Sequence, residues 1–222
     1  MRCFRIVSQE YASPEFLLTG EGASEEGGRW NTIGGLALYT APTYEVAAAE
    51  KGYYSIRSNV EFYLANKTHD PFRDLIARVG LKIATLEVSD DLQLLDLTNQ
   101  EILSDLLRQA GLPPKTVQEG RQSPFKMIGW TQALGEFLST QPDVHGLRVM
   151  SARSNNGEAI VLYPNRYDVG KVQILRVDDI VLSATDITGT PFKKGRTPDP
   201  ARIFVFYGGT ERLVAVLHFP IV

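Results

Sequence analysis

Gly20–Glu50 reads GEGASEEGGRWNTIGGLALYTAPTYEVAAAE, and this order of residue types decides the fold. A glycine-laden loop is expected to present Arg29 beside Trp30. The apolar run Leu36–Tyr39 has the length and the tyrosine ending of a buried strand. A helix is predicted next. Pro42 suits a first helical position, where its missing N–H costs nothing, and Ala47–Ala49 favour helix and close packing. On helical spacing Val46, Ala47, Glu50 and Tyr54 share a face. That face is apolar apart from Glu50, and a carboxylate aimed at a core must be paired or must bind something.

The spacing GGRWN-x-x-G, then Tyr39, then Glu50, resembles the signature of the RES-domain family, the toxins of RES–Xre toxin–antitoxin pairs. Weaker echoes extend the resemblance to about Pro164. It implies an α+β fold with a mixed, mostly antiparallel β core flanked by helices, similar to ADP-ribosyltransferases. It also implies NAD as substrate, with no further cofactor. The partner it implies is a small antitoxin with a helix-turn-helix DNA-binding region, bound in a hetero-oligomer.

The chain has 222 residues and one cysteine, Cys3. That length permits one generous domain or two small ones. We expect a single domain over 1–222, with an insertion at 52–80 and a β-rich extension from about residue 165. A net charge of -3 provides no basic footprint for direct nucleic acid binding. One cysteine excludes an internal disulfide framework and suggests a reducing compartment. No stretch reads as a signal peptide or a bilayer span. The expected location is cytoplasmic, without membrane association.

In chain order, Phe4–Val7 reads as a first strand carrying Arg5. Arg5 is either a solvated strand-face charge or, as the resemblance implies, a phosphate contact. Tyr11–Thr19 is expected to be connecting chain broken by Pro14, and Gly20–Gly28 a flexible loop. For Arg29 a phosphate or NAD contact is set against a structural ion pair, and the planar guanidinium suits the former. Trp30 is expected to pack under the loop. Tyr39 is a core aromatic on composition alone, and a wall for nicotinamide or its ribose on the resemblance. Leu81–Val88 is a strand by alternation. Thr98–Glu101 spells a Thr-x-x-Glu capping box, opening a helix that ends near Gly111. Gly129–Ser139 reads as a helix with Thr131 in its first turn, either a cap or an NAD contact. Ser151, at the end of the strand His145–Ser151, is the candidate for the family's serine. Strands are also expected at Gly157–Tyr163, Val172–Ser183, Ile203–Tyr207 and Leu213–Phe219.

His69, His145 and His218 are scattered, and no Cys/His cluster has metal-ligand spacing, so no metal is expected. Glycoside hydrolysis of ordinary sugars needs a second carboxyl to protonate the leaving group. NAD does not, because its cationic nicotinamide departs neutral. In this reading Glu50 stabilises an oxocarbenium-like ribose and Arg29 assists. Arg5 and Arg29 hold the pyrophosphate, Tyr39 lines the nicotinamide end, and Thr131 and Ser151 contact ribose or phosphate. The acceptor stays open among water, phosphate and a protein side chain. Two further readings are a nucleotide-binding module without turnover and an effector delivered to rival cells.

Overall fold

The computed structural model describes residues 1–44, 46–47, 49–51, 81–123, 129–154, 157–179, 181–182 and 205–206. In chain order its main strands are β1 (Arg2–Ser8), β2 (Leu38–Thr40), β3 (Leu81–Val88), β4 (Leu94–Asp96), β5 (Gly146–Met150), β6 (Glu158–Leu162) and β7 (Val172–Asp179). One sheet runs β1-β3-β7, and the other runs β2-β6-β5-β4. Every pairing in these sheets is antiparallel except the parallel pair β4–β5. This is the mixed, mostly antiparallel α+β architecture expected from the sequence. A short antiparallel pair, Val181–Leu182 with Val205–Phe206, stands apart from both sheets.

Strand β6 shows why the layers stack as they do. Side chains alternate across a strand, and both faces of β6 are apolar. Ala159 and Val161 join Leu147, Val149, Leu103, Leu107, Leu134 and Leu138 in one buried cluster. Ile160 and Leu162 join Leu38, Ala84, Leu86 and Val7 in another. The four-stranded sheet therefore carries the helices Gln100–Gln109 and Trp130–Ser139 on one face and the three-stranded sheet on the other. The two sheets also touch at an edge, where Phe4 bridges Ala41.

Several local expectations change. Gly20–Gly28 is not a loop throughout, because Glu21–Glu26 is a helical turn between Gly20 (φ 75°) and Gly27 (φ 72°). The glutamates and Ala23 favour helix, and the positive-φ glycines confine it to six residues. Pro14 likewise opens a short helix, Pro14–Leu17, rather than breaking the chain. The helical residues of 44–51 start after Thr43, whose hydroxyl accepts from the Val46 N–H. Thr43 is thus the cap, and Pro42 lies just outside.

Thr98 does not cap the next helix. Asp96 takes both its N–H and its hydroxyl, so Asn99 becomes the cap, accepting from the Glu101 and Ile102 N–H groups. A reciprocal capping box does occur, at Thr116 and Glu119. Among the described residues no helix is long and apolar enough to cross a membrane. Tyr54, the insertion at 52–80 and the strand Leu213–Phe219 lie outside the described residues.

Candidate active site

The candidate site forms at one end of the four-stranded sheet, where β2 and β5 finish and β6 begins. Glu50, on the helix that follows β2, extends towards the end of β5. One carboxylate oxygen, Oε1, accepts a hydrogen bond from Ser151 Oγ at 2.6 Å and another from the Ala152 N–H at 2.9 Å. The other, Oε2, lies 3.8 Å from the Arg29 guanidinium and accepts no hydrogen bond among the described residues. Glu50 keeps 27% of its side chain exposed, whereas Arg29 keeps only 8%. The carboxylate is therefore oriented through Oε1 while Oε2 faces the Arg29 guanidinium, on a side chain that stays partly exposed.

Ser151 is fully buried, and its hydroxyl makes several bonds at once. It donates to Glu50 and accepts from the N–H groups of Arg153 at 3.1 Å and Ser154 at 3.0 Å. Accepting from two backbone donors directs its single proton towards the carboxylate. In this arrangement Ser151 orients Glu50, rather than offering a free hydroxyl to a ribose or a phosphate.

Arg29 is held by the loop that the sequence spells as GGRWN. The Tyr39 hydroxyl accepts from the Trp30 N–H at 2.9 Å and donates to Asn31 Oδ1 at 2.8 Å. The Asn31 side-chain amide in turn donates to the carbonyls of Ala23, Thr32 and Gly35. Gly28 has to be glycine here, since a Cβ would lie 2.3 Å from the Tyr39 hydroxyl. Burial holds the Tyr39 pKa above the ordinary phenol value. Its hydroxyl is thus a neutral clamp on the loop, and what remains for a ligand is the ring.

Arg5 reaches the same region from β1, donating to the Tyr39 carbonyl at 3.2 Å. Burial lowers its pKa to about 10. The Nε atoms of Arg5 and Arg29 are both shut off from solvent and have no hydrogen-bond partner among the described residues. Lys51, next to Glu50, also has its pKa lowered, by burial first and then by the Arg5 charge, against the pull of Glu10 and Glu26. Among the described residues the site thus sets the Arg29 guanidinium against the oriented Glu50 carboxylate, with Arg5 tied in through the Tyr39 carbonyl.

Thr131 lies one step away. It is almost fully buried, with its hydroxyl 2.9 Å from that of Ser123. It caps nothing, as the Trp130–Ser139 helix begins without a side-chain cap. The neighbouring Gln132 makes the link to the site, donating to the Gly28 carbonyl at 2.7 Å. Trp30 packs as expected, buried and edge-on to Trp130.

The structure thus brings Glu50, Ser151 and Arg29 into direct proximity, ties Tyr39 and Arg5 to them, and leaves Thr131 behind the loop. Sequence reasoning missed Lys51, Asn31, Gln132 and the Ala152 N–H. Asn31 lay inside the quoted motif, adjacent to Arg29. The other three become visible only once tertiary contacts are known.

No curated protein sequence matches the chain. A chain in the crystal structure of the M. tuberculosis MbcT–MbcA toxin–antitoxin complex is similar in fold. It has a TM-score of 0.50 and 23% identity, and the match covers 80% of this chain and 82% of that one. The RES domain family model matches residues 2–183, which include every candidate site residue named above. The chain belongs to the RES-domain family.

Proposed function

We propose that this protein cleaves the nicotinamide–ribose bond of NAD and passes the ADP-ribosyl group to water or phosphate, as the toxin of a toxin–antitoxin pair. The observation that carries the catalytic part is the state of Glu50. One of its oxygens is tethered by two donors, and the other accepts no hydrogen bond among the described residues and faces the Arg29 guanidinium, on a side chain that keeps 27% of its surface exposed. In the proposed reaction the C–N bond breaks with its electron pair going to the nicotinamide nitrogen, which cancels that ring's positive charge. The ribose carbon becomes oxocarbenium-like, and the Glu50 carboxylate stabilises the charge. The acceptor oxygen then bonds to that carbon; water releases a proton to solvent as it does so, whereas an ionised phosphate oxygen has none to release.

The buried arginine donors suit the other half of the substrate. A buried N–H without a partner is costly, and a pyrophosphate supplies charge-assisted acceptors for two guanidinium groups. Arg5 and Arg29 would hold it, with the Tyr39 ring against nicotinamide or its ribose. Thr131 and Ser151 would act from behind, through the loop and through Glu50. The toxin role follows the family and its likeness to a chain from a toxin–antitoxin complex. A small antitoxin with a helix-turn-helix region is the proposed partner, in the cytoplasm.

Purified protein incubated with NAD should release nicotinamide. The mass of the second product identifies the acceptor: ADP-ribose for water, its phosphate ester for phosphate, or a mass added to protein for ADP-ribosyl transfer. NAD binding without nicotinamide release would replace this reading with that of a binding module.

A further inference from the structure

We infer that Arg121 is a positioning residue for Glu50, acting through the turn Ser151–Ser154. The inference builds on the proposed role of Glu50 as the catalytic carboxylate. Arg121 Nε donates to the Ser151 carbonyl at 2.9 Å, and its Nη2 donates to the Ser154 carbonyl at 3.2 Å. One planar fork thereby grips both ends of the turn. The same turn supplies both donors to Glu50 Oε1, the Ser151 hydroxyl and the Ala152 N–H.

The arginine extends from a firmly placed base. Its helix, Val117–Gln122, opens with the capping box of Thr116 and Glu119. Gly120, one residue before Arg121, fits closely against Trp130, whose ring would lie 3.1 Å from a Cβ there. Trp130 packs on Trp30, beside Arg29. The two donors to Glu50 and the cation facing its other oxygen are thus braced from the same helix. A lysine retains the charge of Arg121 but presents one nitrogen on a flexible stem, so it cannot grip two carbonyls in one plane. Without the fork the turn loosens, and the donors drift from the carboxylate they orient. Misplacement of a reacting group by about 1 Å can cost on the order of 100-fold in rate.

The test uses Arg121→Lys and Arg121→Ala in the full chain, with melting temperatures to confirm folding. For Arg121→Lys, kcat for nicotinamide release should fall about 10- to 100-fold while KM stays within about twofold, because the fork contacts backbone and not substrate. In a Ser151→Ala background the same substitution should lose part of its effect, because one of the two donors that the turn positions is already gone while the Ala152 N–H remains. A second readout does not depend on turnover. The Ala152 amide resonance, sensitive to the Glu50 carboxylate, should move or broaden in Arg121→Lys while amides of the Gln100–Gln109 helix stay in place. A raised KM with unchanged kcat would overturn the inference, as would an Ala152 amide identical to wild type. If the wild-type protein releases no nicotinamide, the NAD reading fails by itself, and the amide resonance still decides whether Arg121 positions Glu50.

Discussion

Side chains that sequence reading assigns to substrate often turn out to hold one another. Tyr39 shows this most clearly. Its hydroxyl is engaged on both sides, by the Trp30 N–H and by Asn31 Oδ1. Tyr39→Phe would leave two polar groups in a half-buried loop without their partner. At about 1 kcal/mol for each lost hydrogen bond, the variant should be destabilised by about 2 kcal/mol. For a protein of this size that is a drop of about 4–8 °C in melting temperature, which a thermal scan would register. A Tyr39→Phe protein as stable as wild type would return the hydroxyl to a ligand-facing role. Ser151 follows the same logic, since its proton is directed to Glu50 by the two backbone donors it accepts from.

Elements were legible where a pattern is periodic and local. The strands β3, β5 and β6 lie within a residue or two of where alternation and branching predict them. The spacing from Arg29 to Tyr39 to Glu50 located three residues that the structure ties together. The misses occur where two local signals compete. Thr98 and Asn99 are both good caps, and the outcome depended on Asp96 occupying the Thr98 hydroxyl. The glycines around Glu21–Glu26 read as loop, although they only delimit a helical turn. Contacts between distant elements leave no such trace. Gly135 sits within the Trp130–Ser139 helix, where a Cβ would lie 2.1 Å from the Trp30 carbonyl oxygen. Nothing in its neighbours announces that approach. Gly135→Ala would drive the helix away from the Arg29 loop, since backbone cannot yield as a side-chain tip can. We expect a loss of about 1–3 kcal/mol, measured by urea unfolding, with weaker NAD binding alongside. Wild-type stability in this variant would show that the loop and helix are not packed as closely as described.

The whole molecule supplies what no single element has. The site draws on β1 through Arg5, on the motif loop through Arg29, on the following helix through Glu50, and on the end of β5 through Ser151. These residues are separated by up to about 150 positions, and they meet because both faces of β6 are buried and fix the layers around one sheet end. That convergence explains why the family resemblance, carried by 31 residues of Gly20–Glu50, pointed to a site completed far outside that stretch. It also makes one substitution decisive. Glu50→Gln retains the shape and an acceptor oxygen for Ser151 and Ala152, and removes the negative charge. Nicotinamide release from NAD by the purified variant, compared with wild type at matched melting temperature, measures what that charge contributes. The account predicts a rate lower by about 100-fold or more, in line with the loss of one well-placed electrostatic group. A folded Glu50→Gln protein that releases nicotinamide within a few-fold of wild type would contradict it.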